Sequence, residues 1–189
     1  MRRAAGPLRL VFGTALLAPL IVAYKLGIFP ATRLRRAMTW VSLRGQSERT
    51  IRAQGERYAA GLSRWVREEA RQRLELHRAN GDRIVVVSAS LDVYLRPWCE
   101  ASGFELICTE LASREGVLTG GLRGGDCTGR EKAERVRARY RLDDYALIYA
   151  YGDSAEDEAL LALAHRPHYR WRELPARAPT PSLAAERGL

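Results

Sequence analysis

The sequence predicts an α/β fold built on a parallel sheet, and three observations carry this prediction. The apolar run Ala146–Tyr151 shows no polar alternation, as is typical of a strand that is covered on both faces. A second apolar run, Ile84–Ser90, is rich in β-branched residues and has the length of a strand. A helical pattern follows each run, so strands and helices alternate as they do around parallel sheets.

The segment Ala146–Ala164 contains the first candidate site. Gly152 lets the backbone turn sharply after the strand, and Asp153 then lies at the strand's carboxyl end, where open α/β sheets bind ligands. Ser154 and Asp157 begin the next helix, whose leucines are expected to pack back on the sheet. A purely structural interpretation stays open, because Asp153 is a common turn residue and Ser154-x-x-Asp157 resembles a capping box.

Composition and charge narrow the function classes. The chain has 189 residues and a net charge of +9, which suits a phosphorylated substrate or a membrane surface. We expect no nucleic-acid partner, because the basic residues are spread along the chain and no nucleic-acid motif is present. The three cysteines have no C-x-x-C spacing and fit free thiols in a reducing cytoplasm. They are Cys99, Cys108 and Cys127.

Two interpretations are open for the apolar segment Leu8–Phe29. Its longest uncharged run, Leu10–Tyr24, has fifteen residues, which is short of the roughly 18 that a membrane-spanning helix needs. Pro19 interrupts the run, and the arginines before it imitate a signal peptide that lacks a convincing cleavage site. A buried helix is therefore favoured over a membrane anchor or a signal segment.

The pattern from Ala31 to Asn80 is helical, and Gly81 is expected to end the last helix in the left-handed conformation. The strand Ile84–Ser90 then ends in two serines. Ser88 lies at the strand tip, where its hydroxyl can meet a ligand, whereas Ser90 is also suited to cap the following helix. The apolar residues expected on one helical face are Ile51, Tyr58, Leu62, Trp65 and Val66.

The second half of the chain contains further strands and turns. Phe104–Thr109 has the pattern of a strand, and Leu111–Leu122 that of a hairpin around Glu115-Gly116. A flexible glycine-rich loop is expected over residues 124–129. A last strand is expected within His165–Arg172, followed by a frayed tail.

Lys132 is the second candidate functional residue. Thr128-x-x-Glu131 matches a capping box, which places Lys132 in the first turn of a helix that ends near Tyr140. A cation at that position opposes the helix dipole, so we expect a negative group nearby to compensate it. The alternative is an ordinary solvated lysine.

The order of these parts resembles motifs two, three and four of the haloacid dehalogenase superfamily of phosphohydrolases. Two stretches are similar to subgroup IB members related to phosphoserine phosphatase: H-R-A-N-G-D-R-I-V-V-V-S-A-S-L-D-V-Y-L-R-P-W and Y-A-Y-G-D-S-A-E-D-E-A-L-L-A-L-A. The resemblance covers nearly the whole chain and implies a Rossmann-like three-layer core with a parallel sheet. It implies a helical cap over residues 1–75, the core over 76–172 and a flexible tail over 173–189, and it favours the cap interpretation of Leu8–Phe29.

The resemblance also implies residue roles. Asp153 would bind Mg²⁺, a hard cation that prefers carboxylate oxygens, and Asp157 would assist at the metal or orient Lys132. Ser88, together with the following backbone, would hydrogen-bond a phosphoryl oxygen, and Lys132 would neutralise phosphate charge. The implied phosphate-binding set is Ser88, Ala89, Ser90 and Lys132.

One part of the family's pattern is missing. Motif one, a strand followed by D-x-D-x-T, supplies the nucleophilic aspartate, and no D-x-D occurs in the sequence. The resemblance therefore implies that the central first strand is absent from these residues. Either the chain is incomplete at its N-terminus or it is a non-catalytic relative. The first is favoured, because losing a central strand would leave buried backbone groups unsatisfied, at about 1–3 kcal/mol each.

The expected function follows from this resemblance. The full-length parent is expected to be a cytoplasmic, Mg²⁺-dependent phosphatase that hydrolyses a small phosphomonoester through an aspartyl-phosphate, and this chain is expected to be inactive or weakly active. The alternatives are a non-catalytic module that binds a phosphorylated ligand and a relative associated with the inner membrane through residues 8–29.

Overall fold

The computed structural model describes residue 19 and residues 21–175 of the chain. The chain divides after Cys127 into two compact units. Most of the expected tail, and residues 8–18 and 20 of the apolar N-terminal segment, lie outside the described residues. The division into a cap, a core and a tail stays a prediction.

Helices fill the first part of the first unit, as the pattern from Ala31 to Asn80 predicted. They are α1 (Ala31–Leu43), α2 (Glu48–Ala59) and α3 (Glu68–Ala79), with a short 3₁₀ helix at Leu62–Trp65. Gly81 follows α3 with a φ of 72°, which confirms the predicted left-handed position. Within the part of the chain that the structure describes, we find no helix with the length and hydropathy needed to cross a membrane.

The expected apolar face is only partly correct. Ile51 is buried, but Tyr58 and Trp65 are 59% and 80% exposed. The helical period was extended too far, because α2 ends at Ala59 and Leu62–Trp65 form a 3₁₀ helix, which does not keep the spacing of an α-helix.

The first sheet has the order β1-β2-β3. Its strands are β1 (Val85–Leu91), β2 (Glu105–Arg114) and β3 (Val117–Arg123), and α4 (Asp92–Ser102) connects the parallel pair β1 and β2. β2 and β3 form the predicted hairpin. Glu115 and Gly116 have φ angles of 53° and 74°, the left-handed pair that a two-residue type I′ turn requires.

A buried carboxylate ties the helices of this unit to the sheet. Asp92 is 2% exposed and begins α4. Its Oδ1 accepts a hydrogen bond from the Leu111 N–H at 3.0 Å, and its Oδ2 lies 3.2 Å from Nη1 of Arg52 on α2. Because both oxygens have partners, this charge is compatible with the neighbouring core of Ile51, Val93, Leu111 and Leu118.

The glycine-rich loop at 124–129 is more ordered than predicted. Asp126 and Cys127 are buried. The Thr109 hydroxyl donates to Asp126 Oδ1 at 2.9 Å and accepts from the Cys127 N–H at 3.0 Å. A side chain from β2 therefore fixes the middle of the loop, which local composition could not indicate.

All three cysteines are free and buried, as the prediction of free thiols requires. Burial raises the pKa of Cys99 to about 11 and that of Cys108 to about 12, against the usual value of 9.0. We expect their alkylation at pH 8 to be at least about 100-fold slower in the folded chain than in guanidinium, because the thiolate is the reactive form. Mass spectrometry after timed iodoacetamide treatment measures this, and fast stoichiometric labelling of folded protein would contradict it.

The second unit contains a smaller sheet of order β4-β5-β6. Its elements are α5 (Arg130–Arg139), β4 (Tyr149–Gly152), α6 (Glu158–Leu161), β5 (Arg166–Tyr169) and β6 (Arg172–Glu173), with 3₁₀ helices at Leu142–Asp144 and Ala155–Asp157. β4 and β5 are parallel, and β5 and β6 are antiparallel. The single expected last strand is thus a short hairpin.

Strand–helix alternation and parallel pairing confirm the α/β class, but the predicted burial of the strands is wrong. The expected strand Ala146–Tyr151 begins only at Tyr149, which is 41% exposed, and Leu147 is 49% exposed. The next α-helix ends at Leu161 rather than Ala164. β1 is half-buried throughout. The reason is that β1 and β4 are each the edge strand of their sheet in the described part of the chain.

Candidate functional site

A buried ion pair lies at the centre of the polar cluster in the second unit. Lys132 in the first turn of α5 and Asp157 before α6 are 7% and 6% exposed. Lys132 Nζ donates to Asp157 Oδ1. The predicted negative partner of this lysine is therefore present, and the solvated alternative is wrong.

The second oxygen of Asp157 organises the turn after β4. Asp157 Oδ2 accepts from the N–H groups of Asp153 and Ser154, both at 3.1 Å, and from the Ser154 hydroxyl at 2.8 Å. The contact to the Ser154 N–H is half of the capping box that the sequence suggested. The structural and functional interpretations of Asp157 are thus compatible, since one carboxylate both caps the turn and holds the lysine.

Electrostatics keep Asp157 ionised. Burial by itself raises the pKa of Asp157, but hydrogen bonds from Lys132 and Ser154 outweigh burial, so the pKa lies below its usual value of 3.8. The pair is therefore a salt bridge at neutral pH, with a lysine held in place rather than free in solvent.

Gly152 is required for space rather than for its backbone angles. A Cβ built at Gly152 would lie 2.5 Å from Asp157 Cβ and 3.2 Å from Asp157 Oδ2. Among the residues that the structure describes, Gly152 does not have a positive φ angle. The prediction that a glycine is needed here for a sharp backbone turn was therefore wrong. The absence of a side chain here lets the Asp157 carboxylate reach the end of β4.

Asp153 lies at the carboxyl end of β4 with an exposed side chain. Mg²⁺ in phosphate-binding sites commonly takes one or two carboxylates plus waters and phosphate oxygens, so Asp153 fits a metal ligand. Asp157 fits the orienting role better, because both of its oxygens already accept hydrogen bonds. Over residues 21–175, no group of three or more His, Cys, Asp or Glu side chains is arranged to hold a metal.

The predicted phosphate-binding residues at 88–90 lie at the end of β1 in the first unit. The register shifts between Ser88 and Leu91, so Ala89 and Ser90 form a bulge. Ser88 Oγ accepts from the Ser90 N–H at 3.1 Å, and its own O–H is suited to donate to a ligand. Ser90 does not cap α4 as predicted, because Leu91 precedes the helix and makes no side-chain cap.

The predicted cap of α5 is also wrong. Gly129, not Thr128, immediately precedes the helix. The Thr128 hydroxyl instead donates to Glu156 Oε2, a contact across 28 residues that no local pattern indicates. Thr128 thus connects the start of α5 to the turn that contains Asp157.

Sequence reasoning also missed Arg170. Its N–H donates to the Gly152 carbonyl at 2.8 Å, and its Nε donates to the Asp153 carbonyl at 3.3 Å. Arg170 and Trp171 form the β5–β6 turn with φ angles of 48° and 68°, values that normally favour glycine or asparagine. The turn contains neither glycine nor asparagine, so local sequence patterns did not predict a turn at these positions.

The structure thus brings Lys132, Asp153 and Asp157 together in the second unit, and Ser88, Ala89 and Ser90 together in the first. A polar cluster with a fixed cation and an adjacent exposed carboxylate is suited to binding a phosphate and a divalent cation.

Comparisons with known proteins identify the family and the fold. A family model described as haloacid dehalogenase-like hydrolase matches residues 1–162. The chain is 35% identical over 174 residues to Protein CicA of Caulobacter vibrioides, a match that covers 88% of this chain and 75% of the relative.

Solved structures share the fold. A protein of unknown function from Bordetella pertussis Tohama I is 26% identical, with a TM-score of 0.72 and coverage of 98% of this chain and 81% of that one. A phosphoserine phosphatase with a phospho-aspartyl intermediate analogue is 16% identical, with a TM-score of 0.57 and coverage of 85% and 75%.

The family model extends over β1 with Ser88 and over the segment from Lys132 to Asp157. The family supports a hydrolase, and the phosphoserine phosphatase structure shares the fold. The chain belongs to the haloacid dehalogenase-like hydrolase family.

Proposed function

We propose that the full-length protein is a Mg²⁺-dependent phosphomonoester hydrolase that acts through an aspartyl-phosphate. The observation that carries this proposal is the buried Lys132–Asp157 pair beside the exposed carboxylate of Asp153. A phosphate monoester repels an anionic nucleophile, so a site for its hydrolysis must neutralise the phosphoryl charge and fix the reacting atoms. A lysine whose position is set by a buried carboxylate meets both needs.

Each remaining residue has a defined role in this proposal. Asp153 would hold Mg²⁺, which when bound neutralises charge on the phosphoryl oxygens. The Ser88 hydroxyl donates to a phosphoryl oxygen, and the bulge at Ala89 and Ser90 presents backbone beside it. Asp157 is a positioning residue, because it acts through Lys132.

The nucleophile is proposed to lie outside the 189 residues. β1 is an edge strand whose three valines, Val85, Val86 and Val87, are only half-buried, and β4 is the edge strand of the other sheet. An edge strand can pair with a further strand through its outer backbone groups, so each edge is suited to accept one. A strand carrying D-x-D-x-T would supply the missing aspartate.

The proposed substrate is a small phosphorylated molecule handled in the cytoplasm. Phosphoserine belongs to this class, and the similarity to phosphoserine phosphatase structures lies in the fold alone. The second candidate function is a non-catalytic module that binds a phosphorylated ligand through Ser88 and Lys132.

Activity and mass measurements test this proposal together. We expect the 189-residue chain to hydrolyse p-nitrophenyl phosphate with Mg²⁺ at background rate. Protein isolated from its own source should exceed 21.2 kDa, contain D-x-D-x-T and show turnover. Asp153→Asn should abolish that turnover, whereas Glu158→Gln, which changes an exposed carboxylate on α6, should not.

Two outcomes contradict parts of the proposal. Turnover by the 189-residue chain that Asp153→Asn abolishes would overturn its inactivity. A source protein with the mass of Met1–Leu189 that binds inorganic phosphate without hydrolysing phosphate esters would favour the non-catalytic module.

A further inference from the structure

We propose that Arg170 is a positioning residue for Asp153, because Arg170 and Asp157 together hold the two peptide groups that flank this aspartate. The inference rests on the proposed role of Asp153 as a metal ligand. Since peptide groups are planar, the direction of the Asp153 side chain depends on only two backbone dihedral angles. Both angles are fixed when the peptide groups before and after Asp153 cannot rotate.

The peptide group before Asp153 is held at both ends. Its carbonyl, that of Gly152, accepts from the Arg170 backbone N–H at 2.8 Å. Its N–H, that of Asp153, donates to Asp157 Oδ2 at 3.1 Å. The peptide group after Asp153 is held in the same way. The Asp153 carbonyl accepts from Arg170 Nε at 3.3 Å. The Ser154 N–H donates to Asp157 Oδ2 at 3.1 Å. Arg170 therefore supplies the donors on one side, and Asp157 supplies the acceptor on the other.

Charge strengthens this arrangement. The N–H end of a peptide group carries partial positive charge, and the carbonyl end carries partial negative charge. The Asp157 carboxylate contacts the N–H ends, and the Arg170 guanidinium contacts the Asp153 carbonyl. Hydrogen bonds with one ionised partner are roughly twice as strong as neutral ones. The guanidinium carbon also lies 5.2 Å from the centre of the Tyr169 ring, a contact that restrains the arginine side chain.

The backbone at Arg170 favours a functional reason for this arginine. Arg170 and Trp171 have φ angles of 48° and 68° in the two-residue turn between β5 and β6. Glycine and asparagine adopt such angles with the least strain, and other residues that hold them concentrate at functional sites. Glycine has no side chain to contact the Asp153 carbonyl. The contact therefore explains an arginine at a position where turn chemistry alone favours a different residue.

A fixed backbone favours cation binding by the exposed carboxylate. When a cation binds, the Asp153 side chain has only its own rotamers to lose, because its backbone is already ordered. Replacing residues that orient a metal ligand typically lowers metal affinity by roughly 10–100-fold. Arg170 is thus expected to raise the affinity for a divalent cation without contacting it.

Nuclear magnetic resonance of the 189-residue chain tests this role with Mn²⁺ as the probe. Bound Mn²⁺ broadens nearby amide signals, so the Asp153 signal gives a dissociation constant. Methionine ends in a methyl group where arginine has Nε, and glutamine ends there in an NH2 donor. We expect Arg170→Met to weaken Mn²⁺ binding by on the order of tenfold. Arg170→Gln, which keeps the donor, should stay within about threefold of wild type.

Amide hydrogen exchange gives a readout that needs neither metal nor hydrolysis. The N–H groups of Asp153 and Ser154 should exchange with deuterium faster in Arg170→Met than in wild type, and Arg170→Gln should restore their protection. Arg166→Met is the matched control, because it removes an exposed arginine of β5 that pairs with Glu173 instead. This control should retain both the wild-type exchange rates and the wild-type Mn²⁺ affinity.

Arg170→Asn separates positioning from stability. Asparagine suits the left-handed backbone angle, but its amide nitrogen is one bond closer to the backbone than Arg170 Nε. We therefore expect a higher urea midpoint of unfolding together with Mn²⁺ binding as weak as in Arg170→Met. An arginine that only stabilises the turn would give a lower midpoint, and that result would contradict the positioning role.

The outcomes distinguish this inference from the proposed function. If Mn²⁺ broadens no signal near Asp153 in wild type, both the proposed metal site and the role of Arg170 are wrong. Equal Mn²⁺ affinity in wild type and Arg170→Met would support the metal site and overturn the positioning role alone. Equal losses in Arg170→Met and Arg170→Gln would also overturn it, since the charge rather than the Nε donor would then be responsible.

Discussion

Replacing Asp157 by asparagine is expected to lower the free energy of unfolding by about 3 kcal/mol, because breaking a buried ion pair leaves the other charge uncompensated. Lys132 is 7% exposed, so water compensates its charge only weakly. Asparagine has nearly the shape of aspartate, so packing is preserved. Its NH2 group cannot accept the hydrogen bonds that one carboxylate oxygen accepts, so the loss reports on charge and hydrogen bonding together. Urea denaturation followed by circular dichroism measures the change.

The matched control is Asp153→Asn, which neutralises an exposed aspartate on the same turn. We expect this variant to stay within about 0.5 kcal/mol of wild type. A similar loss of unfolding free energy in Asp157→Asn and Asp153→Asn would show that the Lys132–Asp157 pair does not stabilise the fold more than an exposed carboxylate does.

Acid provides a second readout of the same pair. The pKa of Asp157 lies below 3.8 in the folded chain. The ionised carboxylate therefore contributes fully to the free energy of unfolding well above pH 3.8, and this contribution is lost as the pH falls through the folded-state pKa. The stability difference between wild type and Asp157→Asn should therefore narrow progressively below pH 3.8. A difference that stays constant down to complete protonation would contradict the assignment.

Replacing Gly152 by alanine is expected to destabilise the chain by about 1–3 kcal/mol, the usual range for forcing atoms into a packed site. The added Cβ would lie 2.5 Å from Asp157 Cβ, so either β4 or the Asp157 side chain must move. Urea denaturation gives the stability, and in the full-length protein the same change should reduce turnover by displacing Lys132.

Gly61→Ala is the control for this substitution. Its Cβ would lie 3.6 Å from the Tyr58 carbonyl oxygen, an ordinary contact, so we expect a change within about 0.5 kcal/mol. A Gly152→Ala variant as stable as wild type would mean that Asp157 does not occupy the space beside the end of β4.

The features that the sequence predicted correctly depend on short-range patterns. The hairpin around Glu115-Gly116 follows from turn chemistry, and the partner of Lys132 was expected because a cation in the first turn of a helix needs compensation. The choice of Asp157 came from the motif resemblance. In each case the decisive residues are adjacent in sequence or belong to a recognisable motif.

The features that were missed depend on contacts between distant segments. Thr109 orders the loop at Asp126 from 17 residues away, and Thr128 bonds Glu156 rather than its own helix. Strand burial was overestimated because an apolar run does not reveal whether its strand lies at the edge of a sheet. Only the assembled sheet determines that.

The hydrogen-bond valence of Lys132 has a consequence for the ligand. An ammonium group has three N–H bonds directed towards the corners of a tetrahedron, and the Asp157 contact uses one of them. Two N–H bonds are left at fixed angles, so the lysine can serve two acceptor atoms at once. A tetrahedral oxyanion presents acceptors with that spacing, whereas a planar carboxylate is better matched by the parallel donors of an arginine.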